Sequence, residues 1–214
     1  MMPAGGGVYL ILSSEYCPAH DPLAVARQAL AGGAALVQLR EKSMPAEALL
    51  AYGAELGALC RARGVPLLVN DDPELALALA ADGVHLGQED ATRLGLAAVR
   101  RRLGRHRLLG LSTHSLAEFT AAQELPVDYA AFGPLFPTRA KPYHIGTAEL
   151  PAVLAAARKP AVFIGGITRQ NAVGLAAQGC RWLAVIRDIV QADDAAGAVR
   201  EYNVILAKGA VPCA

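Results

Sequence analysis

The chain has 214 residues, 54% of them apolar and 18% charged, with a formal net charge of +1. That balance excludes a disordered chain, and the near-neutral charge offers no field to draw in nucleic acid or an anionic membrane. No apolar stretch approaches the ~20 residues of a membrane-spanning helix, and Cys17, Cys60, Cys180 and Cys213 are too scattered for a disulfide framework or a zinc site.

From the N-terminus, residues 1–6 (MMPAGG) lack the basic start and apolar core of a signal peptide and read as a flexible lead. The expected setting is therefore cytoplasmic, with reduced thiols. Short β-type runs then alternate with longer Ala/Leu-rich helical runs. Strands are predicted at 8–12, 35–39, 67–70, 83–86, 108–111, 129–132, 161–164 and 183–186. Helices are predicted near 22–32, 46–63, 73–81, 92–103, 115–124, 149–157, 169–178 and 192–207. Pro45 and Pro73 suit first helical turns, and Gly32, Gly64 and Gly179 suit C-terminal caps. Arg100–Arg102 reads as a solvated helix face, and about 209–214 as a tail. Strands with near-continuous apolar character imply a parallel sheet covered on both sides, and eight strand-helix units imply a single-domain (β/α)8 barrel. The competing architecture is an open doubly wound sheet. The barrel is preferred because polar clusters follow so many of the strands.

In a barrel those clusters converge on one face. They are QLREK (Gln38–Lys42), NDD (Asn70–Asp72), HLGQED (His85–Asp90), STH (Ser112–His114), GPLFPTRAK (Gly133–Lys141), GGIT (Gly165–Thr168) and Arg187–Asp188. Asp71 and Asp90, from neighbouring strands, suit a hard cation such as magnesium, which takes oxygen ligands and retains several waters. The plainer alternative is helix capping, by Asp72 before Pro73 and by Glu89 or Asp90 before the next helix. Arg40, Lys42 and Lys141 beside those acids point to a bound anion, a magnesium diphosphate being the species that joins them; rim salt bridges are the alternative. GGIT has the form of a phosphate-binding loop with a helix dipole behind it, or of an ordinary tight turn. His85 is either a packed, hydrogen-bonded histidine or a substrate contact. His114 is either an acid–base group or a loop residue. Ser112 shows no Asp–His relay, so nucleophilic catalysis is not indicated.

Taken together and in this order, QLREK, ND, ADGVHLGQED, GLSTH, GPLFPTRAK and IGGIT resemble the thiamine phosphate synthases and their relatives the thiazole tautomerases, over roughly residues 8–195. The resemblance is nearer to the synthases. It implies a (β/α)8 barrel, one magnesium ion per site, and condensation of hydroxymethylpyrimidine diphosphate with a thiazole phosphate. It places the pyrimidine diphosphate on the run Gln38, Leu39, Arg40, Glu41 and Lys42, with Asn70, Ser112 and Lys141. It places magnesium on Asp71 and Asp90, and the thiazole phosphate on Thr138, Arg139, Ala140, Gly166, Ile186 and Arg187. Lys141, Arg40 and Ser112 are the implied catalytic groups. A homodimer is among the assemblies left open.

Two departures lie at the thiazole end. The synthase pattern Thr-x-Thr-Lys reads Thr138-Arg139-Ala140-Lys141 here, and the small residue usual after strand eight is Arg187, followed by Asp188. Arg187 could grip the phosphate, fill its pocket, or pair with Asp188 and stay clear. An altered thiazole substrate, a tautomerase, and a non-catalytic phosphate-binding barrel are the rival readings. The complete set of Asp71, Asp90, Lys42 and Lys141 argues against the tautomerase and the non-catalytic barrel.

Overall fold

The computed structural model of the chain describes residues 2–17, 19–139 and 141–209; Ala140 and Cys213 lie outside the described residues. Strands β1 (Gly7–Leu12), β2 (Leu36–Leu39), β3 (Leu67–Asn70), β4 (Gly83–Leu86), β5 (Leu108–Thr113), β6 (Tyr129–Phe132), β7 (Ala161–Ile164) and β8 (Trp182–Val185) close into a parallel barrel in sequence order, with β8 pairing β1. The helices are α1 (Pro22–Ala31), α2 (Ala46–Ala62), α3 (Pro73–Ala78), α4 (Gln88–Leu94), α5 (Leu96–Leu103), α6 (Leu116–Ala122), α7 (Leu150–Ala156), α8 (Arg169–Ala177), α9 (Arg187–Val190) and α10 (Ala195–Gly209). The barrel expectation holds, and the open sheet is excluded by the β1–β8 pairing. Among the described residues no helix is long and apolar enough to cross a membrane.

Successive strand residues point to opposite faces, and the two faces form separate apolar clusters. Leu10, Val37, Val69, Val84, Leu109, Phe132 and Leu183 pack beneath the helices. Tyr9, Ile11, Leu36, Leu68, Leu108, Tyr129, Val162 and Trp182 fill the barrel. The N-terminal lead is packed at its start rather than free, because Met2 is buried in the barrel-filling cluster.

Several boundaries differ from the sequence expectation for local reasons. The run 92–103 is two helices, not one, because Gly95 adopts φ 72 between α4 and α5. Pro45 stands at the N-cap of α2, one residue before the first turn, whereas Pro73 opens α3 as expected. Gly32 keeps a right-handed φ, and the left-handed step falls on Gly33, φ 93. Helix α9 is a single turn between β8 and α10 that the apolar pattern does not mark.

Candidate active site

The C-terminal strand ends surround a cavity of about 820 Å³. Gln38, Arg40, Lys42, Asn70, Asp71, Asp90, Ser112, Thr138, Lys141, Gly166, Ile186 and Arg187 all line it. Three described residues of the candidate set do not join them. Leu39 faces the helix-side core and is 1% exposed, as strand alternation requires one position after Gln38. Glu41 turns to the segment after β1, where its carboxylate accepts the Ser14 amide and hydroxyl, both at 2.6 Å. Arg139 is exposed and off the cavity wall, and Ala140 is outside the described residues.

At the acidic side, Asp71 takes φ 59, a left-handed conformation uncommon for a residue with a side chain. Its carboxylate accepts the Gly87 amide at 2.8 Å and the Asn70 side-chain amide at 2.5 Å. Asp90 lies in the first turn of α4 without capping it, and Arg93 reaches its Oδ1 at 2.5 Å from a 65% exposed position. Asp72 is the cap, accepting the Leu75 amide at 2.9 Å, so the capping alternative holds for Asp72 alone. No group of three or more His, Cys, Asp and Glu side chains among the described residues is placed to hold a metal. Asp71 and Asp90 retain free carboxylate lone pairs, an oxygen-only donor set that fits a cation keeping most of its water.

At the neighbouring exit of β2, Arg40 carries a buried Nη1 with no hydrogen-bond partner, 4.0 Å from Glu15. A buried guanidinium nitrogen without a hydrogen bond is costly, and Glu15 at 4.0 Å supplies charge but no hydrogen bond, which leaves the group suited to a ligand anion. Lys42 and Lys141 are exposed at the same rim.

The far side is organised by Asp188. Its Oδ2 accepts the Arg169 amide at 3.0 Å, Arg169 Nε at 3.1 Å and the Tyr202 hydroxyl at 2.8 Å. Asp188 therefore pairs with Arg169 and not with Arg187, which is left lining the cavity. At GGIT, the Thr168 and Asn171 amides bond within the α8 cap, and Asp188 takes the Arg169 amide, so part of the positive end of α8 is already engaged. Gly165 and Gly166, at φ 100 and 62, pass so close to Pro134, Phe136 and Pro137 that a Cβ would lie 2.3–2.8 Å from their atoms. They are needed for that approach between loops.

The sequence reading misses a polar chain inside the barrel. Gln38 Nε2 donates to the Tyr9 hydroxyl at 2.5 Å, which lies 3.0 Å from the Tyr129 hydroxyl. His85 Nδ1 is 2.8 Å from Tyr129, and its Nε2 is 2.8 Å from Ser112 Oγ. Ser112 thus has a histidine partner that spacing could not reveal. Burial lowers the His85 pKa to about 4, and its second nitrogen meets a phenol rather than a carboxylate, so it is a poor base for nucleophilic activation. His114 Nδ1 donates to the Gly133 carbonyl at 2.6 Å, and the ring meets Tyr143 edge-on.

Residues 8–189 match the family model described as thiamine monophosphate synthase. The chain belongs to the thiamine monophosphate synthase family. It is 35% identical over 189 residues to the thiamine-phosphate synthase of Persephonella marina, covering 87% of this chain and 89% of that one. It is 40% identical to a thiamine biosynthesis bifunctional protein of Geobacter sulfurreducens over 93% of this chain, and spans 40% of that longer protein's length. The structure of a thiamine phosphate pyrophosphorylase from Pyrococcus furiosus superposes with a TM-score of 0.85 at 30% identity, covering 96% of this chain and 97% of the other. The family is one of transferases.

Proposed function

We propose that the chain joins 4-amino-2-methyl-5-hydroxymethylpyrimidine diphosphate to 4-methyl-5-(2-phosphooxyethyl)thiazole, releasing diphosphate and forming thiamine phosphate. The observation that carries this reading is that Arg40, whose buried Nη1 has no hydrogen bond in the free protein, lines the same cavity as Asp71 and Asp90. A polyanion escorted by a cation satisfies both at once. Asp71 and Asp90 would hold a magnesium ion, which supplies charge neutralisation for a departing diphosphate. Arg40, Lys42 and Lys141 bind the diphosphate oxygens and favour its departure, because their charge counts for most where negative charge builds up. Gln38 and Ser112 orient the pyrimidine ring, and Asn70 fixes the Asp71 carboxylate. The exocyclic carbon becomes a ring-stabilised cation as the C–O bond breaks, and the thiazole nitrogen then closes the C–N bond. The absence of a strong base or nucleophile beside Ser112 suits such a dissociative path, in which positioning supplies much of the rate.

At the thiazole end, Thr138, Gly166, Ile186 and Arg187 form the second pocket. Arg187 holds the phosphate as a charged fork, beside an α8 N-terminus whose Arg169 amide Asp188 already takes. Arg187 in place of a small residue also supports a second reading, in which the same reaction runs on a different anionic thiazole. The three described cysteines are unbridged and buried, in keeping with a cytoplasmic setting. The test is an assay of purified protein with magnesium and both substrates. Thiamine phosphate and diphosphate should form in equal amounts and cease with EDTA. No product while the pyrimidine diphosphate still binds would favour the altered thiazole.

A further inference from the structure

Between Gln38 and Ser112 stand three side chains to which the reading above gives no role: Tyr9, Tyr129 and His85. We propose that Gln38, Tyr9, Tyr129 and His85 form a one-way hydrogen-bond relay that holds the Ser112 hydroxyl as a donor to a ring nitrogen in the cavity. The proposal rests on an aminopyrimidine being the ring bound there.

The relay lies where a hydrogen bond cannot be exchanged for water. Tyr129, Tyr9 and Gln38 are 0%, 1% and 2% exposed, and His85 is 7% exposed. Each hydroxyl must then find partners within the barrel. Gln38 sets the direction, because its amide N–H donates to the Tyr9 oxygen. Tyr9 passes its proton to Tyr129 at 3.0 Å, and Tyr129 passes its own to His85 Nδ1 at 2.8 Å. The neutral imidazole then carries its hydrogen on Nε2 and donates to Ser112 Oγ at 2.8 Å. The Ser112 proton is left to face the cavity that Ser112 lines. In the opposite direction Tyr9 would receive from both Gln38 and Tyr129, and its own proton would have no acceptor in an apolar interior.

A serine hydroxyl otherwise rotates freely and serves as donor or acceptor alike. Fixing it before the ring arrives removes a cost of binding and selects a ring with a lone pair at that point. The barrel is shaped for this relay. A Cβ on Gly110 would lie 2.1 Å from Tyr129 Cζ and 2.3 Å from its hydroxyl, so the strand lacks a side chain where the phenol lies. Tyr9, Tyr129 and His85 are positioning residues, acting through Ser112.

Two measurements test this. Side-chain 15N NMR of the free protein, with His85 assigned from a His85→Gln variant, should show the Nε2–H tautomer; the Nδ1–H tautomer would overturn the direction. In steady-state kinetics, Tyr129→Phe should lower kcat/KM for the pyrimidine diphosphate by roughly 10-fold or more, from one lost buried partner. It should leave KM for the thiazole phosphate unchanged. In a Ser112→Ala background the same substitution should change kcat/KM by less than about 2-fold, because the two act as one unit. An equal loss in both backgrounds, or none in the first, would refute the relay. Tyr9→Phe should repeat the pattern and substitutes if Tyr129→Phe folds poorly. A wild-type chain that makes no thiamine phosphate would remove the functional reading, while the tautomer would still decide the relay.

Discussion

Gly110→Ala is a severe perturbation for a single methyl group. The new Cβ would sit 2.1, 2.3 and 2.5 Å from Tyr129 Cζ, hydroxyl and Cε1, where ordinary contact begins at 3.4 Å. The phenol must retreat by more than about 1 Å from a fully buried position, and its bonds to Tyr9 and His85, 3.0 and 2.8 Å long, would both break. Overpacking of this kind costs about 1–3 kcal/mol, and two broken buried hydrogen bonds add about 1–2 more. A total of about 2–5 kcal/mol should lower the unfolding midpoint by roughly 4–20 °C in a chain of this size. Calorimetry of the purified variant reads this directly. In a Tyr129→Leu background, which empties the contested space, the same substitution should cost less than about 1 kcal/mol. A cost that is equal in both backgrounds, or negligible in the first, would refute the reasoning.

Arg40→Ala should weaken pyrimidine diphosphate binding about 10-fold or more by calorimetry while leaving thermal stability unchanged or higher, because it removes a buried donor that lacks a partner in the free protein. Arg187→Ser should raise KM for the thiazole phosphate about 10-fold and leave KM for the pyrimidine diphosphate alone; tighter thiazole binding would mean that Arg187 fills the pocket. For pH, the folded His85 pKa of about 4 lies below its ordinary 6.5, so the unfolded chain binds the proton first. Its contribution to stability is complete above about pH 6.5 and is lost as pH falls toward 4. Denaturant titrations of wild type and His85→Gln across that window should therefore converge as pH falls; parallel curves would contradict the buried neutral imidazole.

The period-2 burial, the turn chemistry and the strand–helix alternation are local properties, and the sequence alone determined the eight units, their parallel order and the polar residues at their ends. It also determined the family, because QLREK, ADGVHLGQED and GPLFPT are contiguous and sit at strand exits. What each side chain does with its hydrogen bonds was decided only by the closed barrel. Glu41 belongs to a motif by sequence, yet its carboxylate is taken by Ser14, 27 residues away. Asp188 neighbours Arg187 in the chain, yet it serves Arg169 and Tyr202, because α8, α9 and α10 bring those groups to its Oδ2. Tyr9 and Tyr129 look like ordinary barrel-filling aromatics at positions 120 residues apart. They become one polar chain only because ring closure aims both phenols at the same buried point, and a hydrogen bond depends on that distance in space rather than on separation along the chain.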